Sequence, residues 1–124
     1  MNNPLLIKNF KAGAALTKFR IVKFGADQNT VIAGAAVADA LLGVQDSLDV
    51  ALGERVDVIL SGVAEVEYGG AVTAGDLLTT DANGRAVPAA PAAGVNNRII
   101  GVAMETGVLG DIGSVLIQPG RIQG

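Results

Sequence analysis

The side chains best suited to chemistry in this sequence are carboxylates, and none stands in a catalytic arrangement. Glu65 and Glu67 lie two residues apart, so on a strand both would face the same side, where paired carboxylates can exchange protons or hold a cation. The chain has no histidine and no cysteine, so neither an imidazole base nor a thiolate is available to complete such a site. We therefore interpret the pair as a solvated strand face, and we predict no catalytic residue and no metal site.

A second candidate is the run Asp-Ala-Asn-Gly at residues 81–84, which matches the opening of a calcium-binding loop. The acidic ligands that should follow are missing, since Arg85, Ala86 and Val87 stand in their place. A hairpin explains the run better, because Asn-Gly accepts the positive φ angles of a tight turn. Biotinyl and lipoyl carrier domains use a similar hairpin with a lysine at its tip, and this tip has none, which excludes that cofactor-carrying role.

Nucleophilic and phosphate-binding chemistry is equally unsupported. Ser47, Ser61 and Ser114 have no histidine to activate them. The glycines form neither a Gly-Lys-Ser/Thr loop nor a Gly-x-Gly-x-x-Gly loop, and they fall where turns between strands need them. The sequence therefore predicts a protein that is not an enzyme and binds no cofactor.

Composition favours a single all-β domain. The chain has 124 residues, of which 50% are hydrophobic, 3% are aromatic and 17 are glycines, a balance typical of short strands joined by many turns. The net charge of −3 disfavours nucleic-acid binding. No apolar run is long enough to span a membrane and no signal peptide opens the chain, so we expect a protein kept in the cytosol or in something assembled there.

Hydrophobic alternation and turn residues divide the chain into short elements. Gly62 is expected to break a strand or to mark a bulge, and residues 33–40 read as a loop or a short helix. Residues 88–97 are expected to form a long exposed loop, and Pro119-Gly120 is expected to end the fold. The predicted strands span residues 19–24, 30–32, 41–44, 56–60, 63–68, 77–80, 85–87, 98–105 and 114–118.

Two parts of the chain echo each other. The run Leu-Leu-Gly-Val at residues 41–44 matches Ile-Ile-Gly-Val at residues 99–102, which lies 58 positions later. Each run is followed by a glycine, an acidic residue and an apolar strand, and each is preceded by a strand, a polar turn and a returning strand. We therefore predict a small β-sandwich or barrel built from two similar halves.

The first 16 residues are expected to form an extended N-terminal arm ahead of a single β-rich domain at residues 17–124. Pro4 stiffens this segment, and the apolar cluster at residues 5–7 has no partner strand nearby in sequence. Five cations precede the first acid at Asp27. Such asymmetry suggests an acidic partner surface, although lysines beside a strand are also commonly solvated. The arm is predicted to dock on its own domain or to add to a neighbour's sheet edge.

Three segments carry a resemblance to the capsid cement, or head decoration, proteins of tailed bacteriophages and prophages. They are residues 53–70 (GERVDVILSGVAEVEYGG), 73–87 (TAGDLLTTDANGRAV) and 97–103 (NRIIGVA), and the shared plan of glycine turns and apolar strands runs from about residue 41 to residue 117. The resemblance implies a structural virion protein on the capsid exterior, made in the host bacterial cytoplasm. Its implied partners are the major capsid protein and further copies of itself, with a homotrimer favoured.

The function implied by this resemblance is to stabilise contacts between neighbouring capsomers, without catalytic residues. The arm is then the expected capsid contact, and its predicted contact residues are Pro4, Leu5, Leu6, Ile7, Lys8, Phe10 and Lys11. The alternative is a small stand-alone β-barrel that binds a ligand or a glycan, for which an aromatic-lined pocket would be diagnostic.

Overall fold

The computed structural model describes residues 3–124 as nine β-strands, and it contains no helix within that range. The all-β prediction is confirmed, and these residues include no helix that could cross a membrane. The strands are β1 (Asn3–Ala12), β2 (Ile21–Phe24), β3 (Thr30–Ala33), β4 (Leu41–Gln45), β5 (Arg55–Glu67), β6 (Leu77–Thr80), β7 (Ala86–Pro88), β8 (Asn96–Ala103) and β9 (Ile112–Gln123).

The strands pair into two closed circuits that share β5. In the first circuit the order is β1-β3-β2-β4-β5, and β5 pairs back onto β1. In the second the order is β5-β9-β8-β6-β7, and Tyr68, directly after β5, bridges back to Ala86 of β7 in parallel. Closing a sheet on itself satisfies backbone groups that an open edge would leave unpaired. Each half therefore leaves few strand edges open to pairing with another chain.

The two circuits repeat the same pairing register. The pair Ile21↔Val44 recurs as Leu77↔Val102, and Ala12↔Val31 recurs as Tyr68↔Ala86. Further matches are Val44↔Ile59 with Val102↔Leu116, Val22↔Ala33 with Leu78↔Pro88, and Lys11↔Arg55 with Glu67↔Ile112. The predicted repeat is therefore present as backbone geometry: β1 to β4 correspond to β5 to β8, and β5 also corresponds to β9.

The same type of turn recurs in three of the loops that connect the strands. In residues 51–54 the side chain of Glu54 accepts a hydrogen bond from the N–H of Ala51, and in residues 108–111 Asp111 does the same for Val108. The third residue of each turn is a glycine with positive φ, 86° at Gly53 and 88° in the second turn, as a type II turn requires. Residues 73–76 repeat the arrangement. In all three turns the acidic side chain that follows the glycine stabilises the turn by accepting a hydrogen bond from the N–H of its first residue.

The core is aliphatic apart from two rings. One buried cluster lies within the first circuit and contains Phe10, Val22, Val31 and Val58. A larger cluster extends through the second circuit and contains Tyr68, which is fully buried and donates a hydrogen bond from its hydroxyl to the backbone oxygen of Glu105. Burial raises the pKa of the Tyr68 phenol, and the nearby Glu105 carboxylate adds to that effect.

The structure corrects several local predictions. Of the two alternatives for residues 33–40, the loop is confirmed at residues 34–40 and no helix forms there. In the Asn83-Gly84 turn, by contrast, only the glycine has a positive φ, of 78°. Pro119 does not end the fold: β9 continues to Gln123, with the proline at a register irregularity between β8 and β9 where it need not donate to the ladder. Over residues 3–12 the predicted arm is an extended strand, β1, that docks on its own domain, which is one of the two alternatives given for it. Residues 1 and 2 of that prediction lie outside the described residues.

Candidate functional site

The residues predicted to form a contact lie along β1, on the surface of the first circuit. Leu5 is the most exposed of them, with 84% of its surface accessible, and Leu6 and Ile7 are also exposed. The exposed side chains of Lys8 and Lys11 follow, and Pro4 is half-buried. Six of the seven predicted residues thus reach the surface, and three of them form an exposed apolar cluster, which we call the N-terminal patch (Leu5, Leu6 and Ile7).

Phe10 is the exception among the predicted contact residues. Its side chain is only 3% exposed and belongs to the core of the first circuit, where its ring meets that of Phe24 edge-on at 6.1 Å. Strand alternation explains the difference, since Phe10 and Ala12 point to the inner face while Lys11 points outward. Phe10 therefore anchors β1 to the body and is not available as a surface contact.

The conformation of β1 depends on its pairing with β5, some fifty residues away in sequence. The two strands are antiparallel, and the register shifts near Leu5. Gly62 lies opposite this irregularity with φ of 90°, and a Cβ there would meet the backbone oxygen of Asn3 at 2.6 Å. The expectation of a bulge at Gly62 is confirmed, and the bulge allows the N-terminal patch to lie against β5 while its side chains face solvent.

The cations of the first quarter divide into two groups. Arg20 and Lys23 are paired within the chain, with Glu67 at 3.2 Å and Asp39 at 2.8 Å respectively. Lys8, Lys11 and Lys18 are exposed, and the Lys8 ammonium lies 5.2 Å from the centre of the Phe10 ring. The surface of β1 is thus apolar at its start and basic towards its end, on a chain whose net charge is −3.

The acidic candidates have structural roles. Glu67 forms ion pairs with Arg20 of the first half and, at 4.0 Å, with Arg85 of the second half. Asp81 accepts hydrogen bonds from the N–H groups of Asn83 and Arg85, which is how a side chain stabilises a turn. Within residues 3–124, acidic side chains form no group of three or more that is placed to hold a metal ion.

A groove of about 340 Å³ lies between the two halves. Arg20 and Arg85 line it, but both guanidinium groups are neutralised by the neighbouring Glu67 and Asp81. Its other lining residues are Ala15, Leu16, Thr17, Ala33, Ala82 and Asn83, and none of these is aromatic. This groove therefore lacks the aromatic lining by which the alternative of a glycan-binding module would be recognised.

Sequence reasoning missed a second exposed apolar surface, which we call the distal patch. It lies in the loop between β8 and β9 and at the first residue of β9, at the opposite end of β5 from residues 51–54. Its exposed residues are Met104, Val108, Leu109 and Ile112. The available signal was an apolar residue at the tip of a glycine turn, Leu109-Gly110, which repeats Leu52-Gly53 of the first half.

The model of the phage cement protein family matches residues 5–116. No curated protein matches the chain by sequence. A solved structure with a similar fold is that of the N-terminal base of the head fibre gp8.5 of bacteriophage phi29, with a TM-score of 0.69, 18% sequence identity, and coverage of 96% of this chain and 98% of the other.

Proposed function

The chain belongs to the phage cement protein family, whose members are capsid-associated structural proteins of phages, and from this premise we propose that it binds the outer surface of the phage head. On the head it stabilises contacts between neighbouring capsomers, and the major capsid protein is its partner. It performs no catalysis. The observation that carries this proposal is the surface of β1, where the exposed N-terminal patch is followed by Lys8 and Lys11.

Contiguous exposed apolar side chains mark interaction sites in proteins of this size. The N-terminal patch places three such side chains in a row, beside two cations that suit an acidic partner surface. Because Phe10 and the β5 pairing hold β1 against the body, little chain entropy is lost when this surface binds. Preorganisation of that kind improves affinity without additional contacts.

The protein acts as a homotrimer that joins heads after synthesis in the host bacterial cytoplasm. Single copies need bind only weakly, since linked copies on one symmetric shell gain avidity from effective concentration. The distal patch is available for contacts between copies, because its apolar side chains are exposed.

Purified expanded heads that lack this protein provide the test. We expect saturable binding, with the bound copies located by cryo-EM at the seams between capsomers and with greater resistance of the heads to heat. A Leu5→Glu variant should bind about tenfold more weakly, because a charge replaces an apolar contact. Leu48→Glu is the matched control, since Leu48 is 74% exposed and lies outside β1.

Both leucines are at the surface, so neither variant should change the thermal unfolding of the isolated protein. Equal binding by the two variants would remove β1 from the interface. The absence of wild-type binding to any head form would overturn the proposed function itself.

A further inference from the structure

Over residues 3–9, the side of β1 that faces away from β5 pairs with no other strand in the described part of the chain. The N–H groups of Lys11 and Gly13 point away from β5, to Asn29 and Val31, whereas the N–H of Ala12 points toward the β5 side, to Glu54. Because these directions alternate along a strand, Ile7 and Asn9 also direct their N–H and C=O groups away from β5. Among the described residues, β3 pairs with β1 only at Lys11 and Ala12. We call the outward side of residues 3–9 the outer edge of β1.

The internal repeat shows how the equivalent edge is covered elsewhere in the molecule. In the shared register Ile7 corresponds to Val63, and Lys11 corresponds to Glu67. On the side of β5 that faces away from β9, Asn3 pairs with Val63 in antiparallel fashion, and the backbone oxygen of Phe19 accepts from the N–H of Glu67. The second half thus has a strand where the first half has an open edge.

A second copy of this chain does not suit that position. If the outer edges of two β1 strands paired in antiparallel fashion so that Ile7 of one copy bonded to Asn9 of the other, their two Lys8 side chains would face one another, and like charges across a strand pair are destabilising. A head-to-tail continuation of the repeat would pair a further strand with residues 120–123 of β9, as residues 63–66 of β5 pair with β9. Residues 120–123 are already paired with Asn96–Ile99 of β8.

We propose that the outer edge of β1 binds an extended segment of the head's shell protein as an additional antiparallel strand. The segment is acidic, because Lys8 and Lys11 are exposed beside the edge, and partly apolar, because the N-terminal patch lies at its start. Backbone hydrogen bonds to Ile7 and Asn9 supply its affinity, as in other strand-addition complexes. This inference rests on the proposed binding to heads. The sequence predicted that the arm would add a strand to a neighbour's sheet. In this proposal the neighbour instead adds a strand to the sheet of this chain.

Amide hydrogen exchange on the protein, alone and bound to heads, tests the proposal directly. In the unbound protein the amides of Lys8 and Phe10, which face β5, should exchange slowly, and those of Ile7 and Asn9 should exchange fast. On the heads, Ile7 and Asn9 should become protected by about tenfold or more. Binding without new protection at these two amides would overturn the strand addition and leave the proposed function standing.

A pair of variants separates the backbone from the side chain. Ile7→Pro removes the outward N–H, whereas Ile7→Ala keeps it and removes the same branched side chain. We expect the proline variant to bind heads about tenfold more weakly than the alanine variant. Equal binding would contradict the proposal, and exchange measured on the wild type decides the matter if the proline variant does not fold.

Cross-linking identifies the occupant. Lysine-to-carboxylate cross-links from Lys8 and Lys11 on decorated heads should reach acidic residues of the shell protein. Cross-links from these lysines to another copy of this chain would show self-association at the edge and would overturn the assignment of the partner. A wild-type protein that binds no heads would instead mark failure of the proposed function.

Discussion

The first and second halves of this molecule share a backbone register but fill it with different side chains. Ala12 and Val56 in the first half correspond to Tyr68 and Gly113 in the second. A Cβ on Gly113 would collide with the Tyr68 ring, so the large residue on one strand requires the small one on its neighbour. The comparison teaches that turns and pairing set the topology, while the core volume is distributed differently in each half.

The strongest test of that comparison exchanges the side-chain pair. Tyr68→Ala should reduce the free energy of unfolding by about 3–5 kcal/mol, because it leaves a cavity in the second circuit. Gly113→Val should also destabilise, through its clash with the ring. The double variant recreates the first-half pair and should recover part of the loss, as a double-mutant cycle in chemical denaturation will measure. Strictly additive effects would contradict the assigned contact.

The halves also differ at the residue that lies two positions before β2 and β6. Gly75 has φ of 98° and an open space where a Cβ would stand, whereas its counterpart Phe19 has φ of 62°. Gly75→Ala should therefore cost about 1–2 kcal/mol through backbone strain alone. Gly70→Ala serves as the control, since Gly70 has no positive φ, and it should be close to neutral in the same thermal melts.

Tyr68 makes the stability of the second half depend on alkaline pH. Its counterpart in the first half, Ala12, has no ionisable side chain and cannot have this effect. Burial raises the pKa of its phenol above the ordinary value of 10.0 in the folded protein. The neutral phenol therefore contributes stability that is complete below pH 10.0 and is lost as the pH rises through the folded pKa. Tyr68→Phe should cost about 1 kcal/mol at neutral pH, through loss of the hydrogen bond to Glu105, and should flatten the alkaline decline.

Ultraviolet absorbance can follow this ionisation directly, because the chain has a single tyrosine. Ionisation at the ordinary pH would show that the ring is not buried in solution.

The smallest expected difference concerns two matching turns after β3 and β7. At residues 36–39 the Asp39 carboxylate accepts from the N–H groups of Ala35 and Ala36 and pairs with Lys23; at residues 92–95 the turn uses Gly94, with φ of 78°. Burial acts to raise the pKa of Asp39, but its hydrogen bonds outweigh this and hold the pKa below 3.8. Therefore only the stability of the first turn should change with pH in the acidic range.

Because the folded pKa of Asp39 is the lower one, its contribution is present above pH 3.8 and is lost as the pH falls through the folded value. Asp39→Asn should cost up to about 1 kcal/mol at neutral pH, and the difference from wild type should shrink in acid. Amide exchange at Ala35 and Ala36 reports this turn, and Val95 reports the other. A difference that persists in strong acid would assign the effect to packing.

The local elements could be predicted from the sequence because their causes are local. Alternating apolar residues and glycine turns placed β2, β4, β6 and β8 within a few residues of their observed bounds. The repeat was visible because both halves need the same turn chemistry, as in Gly53-Glu54 and Gly110-Asp111. Similar turns at similar intervals were enough to indicate similar pairing.

The candidate site depends on contacts that are remote in sequence, and these could not be predicted. Lys11 pairs with Arg55, and nothing in residues 1–16 encodes that register. Phe10 was placed at the surface because an isolated apolar residue near a terminus gives no sign of which face is buried. Likewise, Pro119 was expected to end β9, because the irregularity that accommodates it depends on β8.

Strand β5 also has a mechanical consequence. Its 13 residues span about 40 Å at the rise of an extended strand, and it pairs with β1 along one part and with β9 along the other. A load pulling β1 and β9 apart along this strand would stretch many ladder hydrogen bonds in shear at once, instead of opening them one after another. Because β5 is shared by both circuits, the molecule should resist a tensile load applied along this strand.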